Sequence, residues 1–235
     1  MNERAKDAQL ATLRAFTFLT SLRPDWRGEL IIACGLSAGG EEFSMASNIA
    51  GAGFLTVESK PEICRAAMRS GACDFIVNSV DEALRILKNE IRKRKPVSVA
   101  LSMNERVALE ELVGRGVQPE MFAAFGEAAE SAEAAAQRFS TLGAMIAEFD
   151  HKSGNGLDVA TKLEEFTSQR GLDSVVFGFS AGEQLRVADS QLLHLVARDD
   201  PRRRWFASAP RFFHRERPHR RLAYLTLAER EKLGM

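Results

Sequence analysis

Gly35, Gly39, Gly40 and Glu58 are the residues whose type and spacing point most directly to chemistry. The glycines sit in the turn Gly35-Leu36-Ser37-Ala38-Gly39-Gly40, and Glu41 and Glu42 follow it at once. A glycine turn that opens a helix lets backbone N–H groups approach a phosphate, and the helix N-terminus favours the anion. Glu58 lies about 20 residues past the turn, where an acid is placed to read a ribose hydroxyl. The chemistry indicated is dinucleotide binding, with Gly35, Leu36, Ser37, Gly39 and Gly40 as the cofactor turn and Glu58 as the ribose acid. Ser37 stands where a strict Gly-x-Gly-x-x-Gly would have its second glycine, so a tight strand–helix turn with no ligand is the competing reading,.

The surrounding pattern supplies the elements such a turn needs. Leu30–Cys34 is a short apolar run of buried-strand length, and Phe43, Met45, Ala46, Ile49 and Ala50 recur at helical spacing,. Gly51 and Gly53 stop that helix, and the apolar run Phe54–Val57 leads to Glu58. Further on, Pro61 opens a helix to Met68, Asp74–Val77 is a short strand, and Asn78 or Ser79 caps a helix Val80–Ile91,. Val97–Leu101 is a fourth strand, Asn104 caps a helix to Val113, and Pro119–Phe125 is a fifth strand. Strands alternating with helices of this length specify a parallel sheet.

The same residues resemble the NAD-binding domain of the urocanase (urocanate hydratase) family. Gly35-Leu36 and Ile49-Ala50-Gly51 fit that family's loop and helix without a gap, and Glu58 falls on its acid. The resemblance continues through Arg65, Gly71, Asp74, Val80-Asp81-Glu82-Ala83-Leu84, Asn104 and Gly116-Val117-Gln118-Pro119. It implies a Rossmann-like fold, NAD acting as an electrophile toward an imidazole substrate, and a place in histidine breakdown. Departures are equally specific. Ser37, Ala38 and Glu41 replace family glycines, and Phe43 replaces a glutamine. Ser37 and Ala38 add bulk, while Glu41 and Glu42 would repel a pyrophosphate, so these four side chains argue against NAD. Ala123-Ala124-Phe125-Gly126-Glu127 stands where the family carries an acidic and hydroxyl-bearing run. No cysteine follows Cys73, whereas the family uses one well downstream, and its members are considerably longer. As a urocanase, the chain reads as incomplete.

Composition sets broad limits. Lys+Arg and Asp+Glu are balanced at 32 each in 235 residues, so no global field favours nucleic acid or a membrane,. Cys34, Cys64 and Cys73 lack metal-ligand spacing and read as buried reduced thiols,. The four histidines show no metal spacing either, and no metal is expected. The polar start is not a signal peptide and no apolar run reaches membrane-spanning length, so a cytoplasmic location is expected,.

Outside the central unit, residues 4–22 carry Leu10, Leu13, Phe16, Phe18, Leu19 and Leu22 at helical spacing, ended by Arg23-Pro24,. Residues 127–149 read as one long helix, Asp150–Gly156 as a hinge-like turn, and Leu157–Phe166 as another helix. Ser174–Phe179 reads as a strand or a buried connection, Gln184–Ala197 as a helix, and Thr226–Glu229 as a capping box,. Between Arg198 and Arg221 arginines and aromatics interleave, a composition shared by nucleic-acid and protein interfaces,. The acidic excess of 104–150 balances this basic excess, which favours mutual docking, within the chain or across a dimer, over nucleic acid. The expected fold is α/β, a parallel-sheet Rossmann-like domain with an N-terminal helix and a mainly helical C-terminal region. The expected divisions are 1–27, 28–126 and 127–235. The expected function is a urocanase-like protein without hydratase activity, a small-molecule-binding or oligomeric module, with a homo-oligomer as its assembly and an unidentified small molecule as ligand. The alternative is an NAD-dependent hydro-lyase acting on urocanate or a related imidazole, completed by a partner subunit or by the C-terminal half. No catalytic residue is assigned.

Overall fold

Short apolar runs separated by glycine turns become the strands at the centre of three layers, helix on sheet on helix. The computed structural model describes residues 7–149 and 156–234. In order come α1 (Ala8–Leu22), β1 (Leu30–Cys34), α2 (Gly40–Ala50), β2 (Gly53–Val57), α3 (Pro61–Ser70) and β3 (Phe75–Val77). There follow α4 (Val80–Arg92), β4 (Val97–Leu101), α5 (Glu105–Gly114), β5 (Met121–Ala124), α6 (Ala128–Thr141) and β6 (Met145–Glu148). The rest is β7 (Leu157–Asp158), α7 (Val159–Gln169), β8 (Asp173–Phe179), α8 (Gly182–Leu195), α9 (Arg202–Phe213), β9 (His219–Leu225) and α10 (Leu227–Lys232).

Seven strands form one sheet in the order β3-β4-β2-β1-β5-β6-β7, and every neighbouring pair is parallel. All residues of β2 and β4 are buried, as befits parallel strands covered on both faces,. Alternation along the strands divides the core. Ile32, Cys34, Leu55, Val57, Val99 and Phe122 pack with α4, α5 and α6 on one face,. Ile31, Ala33, Phe54 and Ala123 pack on the other with α1, α2 and α9. The expected caps form: Ser79 accepts from Glu82 N–H, Asn104 from Val107 N–H, and Gly51 and Gly71 end their helices in the left-handed conformation,.

The region after residue 126 differs from expectation. The long helix expected over 127–149 stops at Thr141, because Gly143 takes φ +96 just beyond the Leu142 cap,. Met145 and Ile146, which continue the helical stripe in sequence, instead lie in β6 and pair with Met121 and Phe122 of β5. The helix expected from Leu157 begins at Val159, after β7 has paired with β6. The sheet therefore runs past the expected division at 126. Asp150–Asn155, with His151 and most of the expected turn, fall outside the described residues.

The C-terminal region is mainly helical but carries an antiparallel ribbon of β8 and β9, with Phe179 opposite His219 and Asp173 opposite Leu225. Strand β9 lies inside the arginine-rich stretch, where no strand was expected. The ribbon is tied to α1: buried Gln9 accepts from Leu222 N–H at 2.7 Å. The arginines dock within the chain, but among the described residues on other acids than those of 104–150. Arg204 meets Asp25 (2.7 Å), Arg211 meets Asp74 (2.9 Å), Arg220 meets Asp7 (2.8 Å), and Arg202 bridges Asp200 and Glu229. Arg27 and, further, Arg204 hold the Asp25 carboxyl below the usual carboxylate range, against the opposing effect of burial,.

Candidate functional site

From β1 the chain moves to β2 on one side, then returns to place β5 on the other. That reversal makes the carboxyl ends of β1 and β5 the place where an open α/β sheet binds ligands. Two loops border it: 35–39 after β1, and 125–127 after β5. The structure brings all six residues of the expected cofactor set to this end of the sheet, with β2 delivering Glu58.

The turn after β1 is tight and closed on itself. Gly35 (φ +86) lies so close to the following loop that a Cβ would stand 2.6 Å from the Phe125 carbonyl oxygen. A Cβ on Gly40 would stand 2.4 Å from the Gly35 carbonyl oxygen. These two positions need glycine for close backbone approach, and Gly39 (φ +108) needs it for conformation,. Gly40 N–H donates to Ser37 O (3.1 Å), Glu41 N–H to Leu36 O (3.0 Å), and Phe43 N–H to Gly39 O (2.9 Å). The last is the first regular bond of the helix; the other two use donors, Gly40 and Glu41 N–H, that a phosphate-binding helix would present outward,.

Glu58 is buried at 4% exposure. Leu36 N–H donates to one carboxylate oxygen at 3.1 Å, and Lys60 N–H donates to the other at 3.0 Å. The acid expected at a ribose is a clamp between the turn after β1 and the start of α3. Such charge-assisted bonds to a buried carboxylate are each worth about 1.5–3 kcal/mol.

The crevice itself is filled. Phe125, directly after β5, is 3% exposed, and its ring lies 3.5–3.7 Å from where Cβ atoms on Gly39 and Gly40 would stand. Its ring centroid is 5.5 Å from that of Phe43 and 5.0 Å from that of Phe149, and Phe43 also meets Phe54 at 5.8 Å. Gly126 completes the seal, since a Cβ there would sit 2.7 Å from Ser37 Oγ. Phe43 and Phe125 both occupy positions that are polar in the resembling family. Their change of character was visible in the sequence, but their meeting over Gly39 and Gly40 was not.

Of the two acids of the first turn, Glu41 is bonded away from the glycines. Glu41 accepts from Ser70 Oγ at 3.0 Å, so its carboxylate turns toward the end of α3. Burial raises its proton affinity; the Ser70 bond offsets part of that rise, and Glu42 adds to it,. Ser37 and Ala38 are exposed at the tip of the turn. The obstacle beside Gly39 and Gly40 is therefore an aromatic ring rather than the expected Glu41 charge. Glu127 reaches outward to Lys60 at 3.0 Å, in an exposed pair. Cys34, Cys64 and Cys73 are free and buried, and burial pushes the Cys64 thiol up to about 11 and Cys73 to about 12. Among the described residues no group of three or more His, Cys, Asp or Glu side chains could hold a metal ion, and no helix is long and apolar enough to cross a membrane.

Residues 11–132 match the family model described as the urocanase Rossmann-like domain. The matched span is just over half of the chain. It begins inside α1 and ends inside α6, and it contains both loops of the crevice.

Proposed function

Since this chain belongs to the urocanase family through its Rossmann-like domain, we propose that it keeps the family's βαβ frame as a binding or oligomeric module. In this reading it does not hydrate urocanate. The observation that supports it is the Phe125 ring seated against Gly39 and Gly40, at the place where a dinucleotide pyrophosphate would lie. NAD fits these residues poorly: Gly40 N–H is given to Ser37 O, and both oxygens of Glu58 are taken by backbone donors. A buried polar group already paired in this way gains little by exchanging its partner for a ligand hydroxyl.

The competing reading is an NAD-dependent hydro-lyase, acting on urocanate or a related imidazole and completed by a partner subunit. Its support is the retention of the glycine turn and of Glu58 at the end of β2. Two measurements on the full chain separate the readings. Calorimetric titration with NAD is expected to give no heat of binding, and the absorbance of urocanate with protein and NAD is expected to stay flat. Micromolar NAD binding or a falling absorbance would overturn the first reading in favour of the second.

A further inference from the structure

The second site lies in the C-terminal region, between the start of α8, the end of α9 and the start of β9. A cleft of about 460 Å³ opens there, and Arg186, His214, Arg215, Arg217 and His219 contribute to its walls. That volume is within the range of small-molecule sites, about 300–1,000 Å³. Among the described residues the only carboxylate in the lining is Asp189, and it is already neutralised. Arg221, whose side chain is fully buried, grips it with two bonds, Nε at 2.6 Å and Nη2 at 3.0 Å. The buried pair forms a neutral floor, and the charge left in the cleft is positive.

The cations of the wall are not committed elsewhere. Arg186 and Arg215 are exposed and make no ion pair among the described residues. Arg217 donates only to backbone carbonyls, His214 O and Glu216 O, and lies 3.4 Å from His219 Nδ1. Four other arginines of this stretch, Arg202, Arg204, Arg211 and Arg220, meet carboxylates, while Arg203 donates to the Leu193 and Val196 carbonyls. The cleft also takes the N-terminus of α8, a helix of 14 residues. Gly182 is the first residue of that helix, and the His219 ring packs against it, 3.2 Å from where a Cβ would stand. The positive end of the helix dipole adds to the side-chain charge.

We propose that this cleft binds a small phosphate-bearing anion, held by the guanidinium groups of Arg186, Arg215 and Arg217 over the Arg221–Asp189 floor. Guanidinium forks match phosphoryl oxygens two at a time, which gives the site selectivity beyond its charge. The cleft is separate from the β1/β5 crevice, so its test is independent of whether NAD binds there. The test titrates the full chain with inorganic pyrophosphate by calorimetry, at low and at raised salt. One site is expected, weakening as salt rises, and weakened at least tenfold in the double variant Arg186→Gln/Arg215→Gln. Both side chains are exposed and unpaired, so circular dichroism and the melting temperature should be unchanged in that variant. Absence of binding in the parent chain, or binding undiminished in the variant, would overturn the proposal. Tighter, salt-dependent binding of a single-stranded oligonucleotide than of pyrophosphate would reassign the cleft to nucleic acid and overturn it as well.

Discussion

The crevice between β1 and β5 and the cleft between α8, α9 and β9 are made of opposite materials. At the crevice the amides of Gly35, Leu36, Gly40 and Glu41 have internal partners, and an aromatic cluster packs beside them. At the cleft a buried ion pair is satisfied, but Arg186, Arg215 and Arg217 meet no acid among the described residues. The difference teaches that position in a fold does not by itself make a site. A sheet reversal supplies the place, but unpaired donors and open volume decide whether anything binds there.

The largest expected effect comes from cutting each region once. Phe125→Ala should destabilise the chain by about 3–5 kcal/mol, since the ring is packed on several sides,. Arg215→Gln, at the exposed wall of the cleft, should stay within about 0.5 kcal/mol,. Urea denaturation of both variants measures the contrast, and equal losses would break it.

A smaller effect is expected at the clamp. Glu58→Gln keeps one carbonyl oxygen for either Leu36 or Lys60 and turns an amide donor toward the other N–H. The cost should be about 1–3 kcal/mol by denaturant unfolding. A loss under half a kilocalorie would mean that the turn does not depend on the acid.

The smallest concerns Glu41. Its folded-state proton affinity lies above the ordinary Glu value, so its favourable contribution is present at acid pH and is lost as pH rises through the folded-state pKa,. Glu41→Gln does not titrate, so its melting temperature relative to the parent should rise between about pH 4 and pH 7. A difference that stays constant over that range would show that burial of Glu41 carries no penalty.

The central strands were legible because β1, β2 and β4 are apolar runs interrupted only by Thr56 and Ser98, and the helix ends were legible in Ser79, Asn104, Gly51 and Gly71. Strand β6 was not. Met145 and Ile146 extend a helical stripe, and only pairing with β5 makes them extended,. Strand β9 was hidden because Arg221 is fully buried, against the usual preference of arginine, and the partner that permits it is Asp189, 32 residues away,. At the crevice, spacing put Glu58 just after β2, where it lies. Its role depended on the amide of Leu36, 22 residues earlier, and no local pattern encodes that bond.

The bond between Gln9 and Leu222 joins positions separated by 213 residues. During synthesis the helix bearing Gln9 leaves the ribosome early, long before the strand that completes its surroundings exists. Loss of the β8–β9 ribbon would therefore uncover Gln9 on α1, although 213 residues separate the bonded positions.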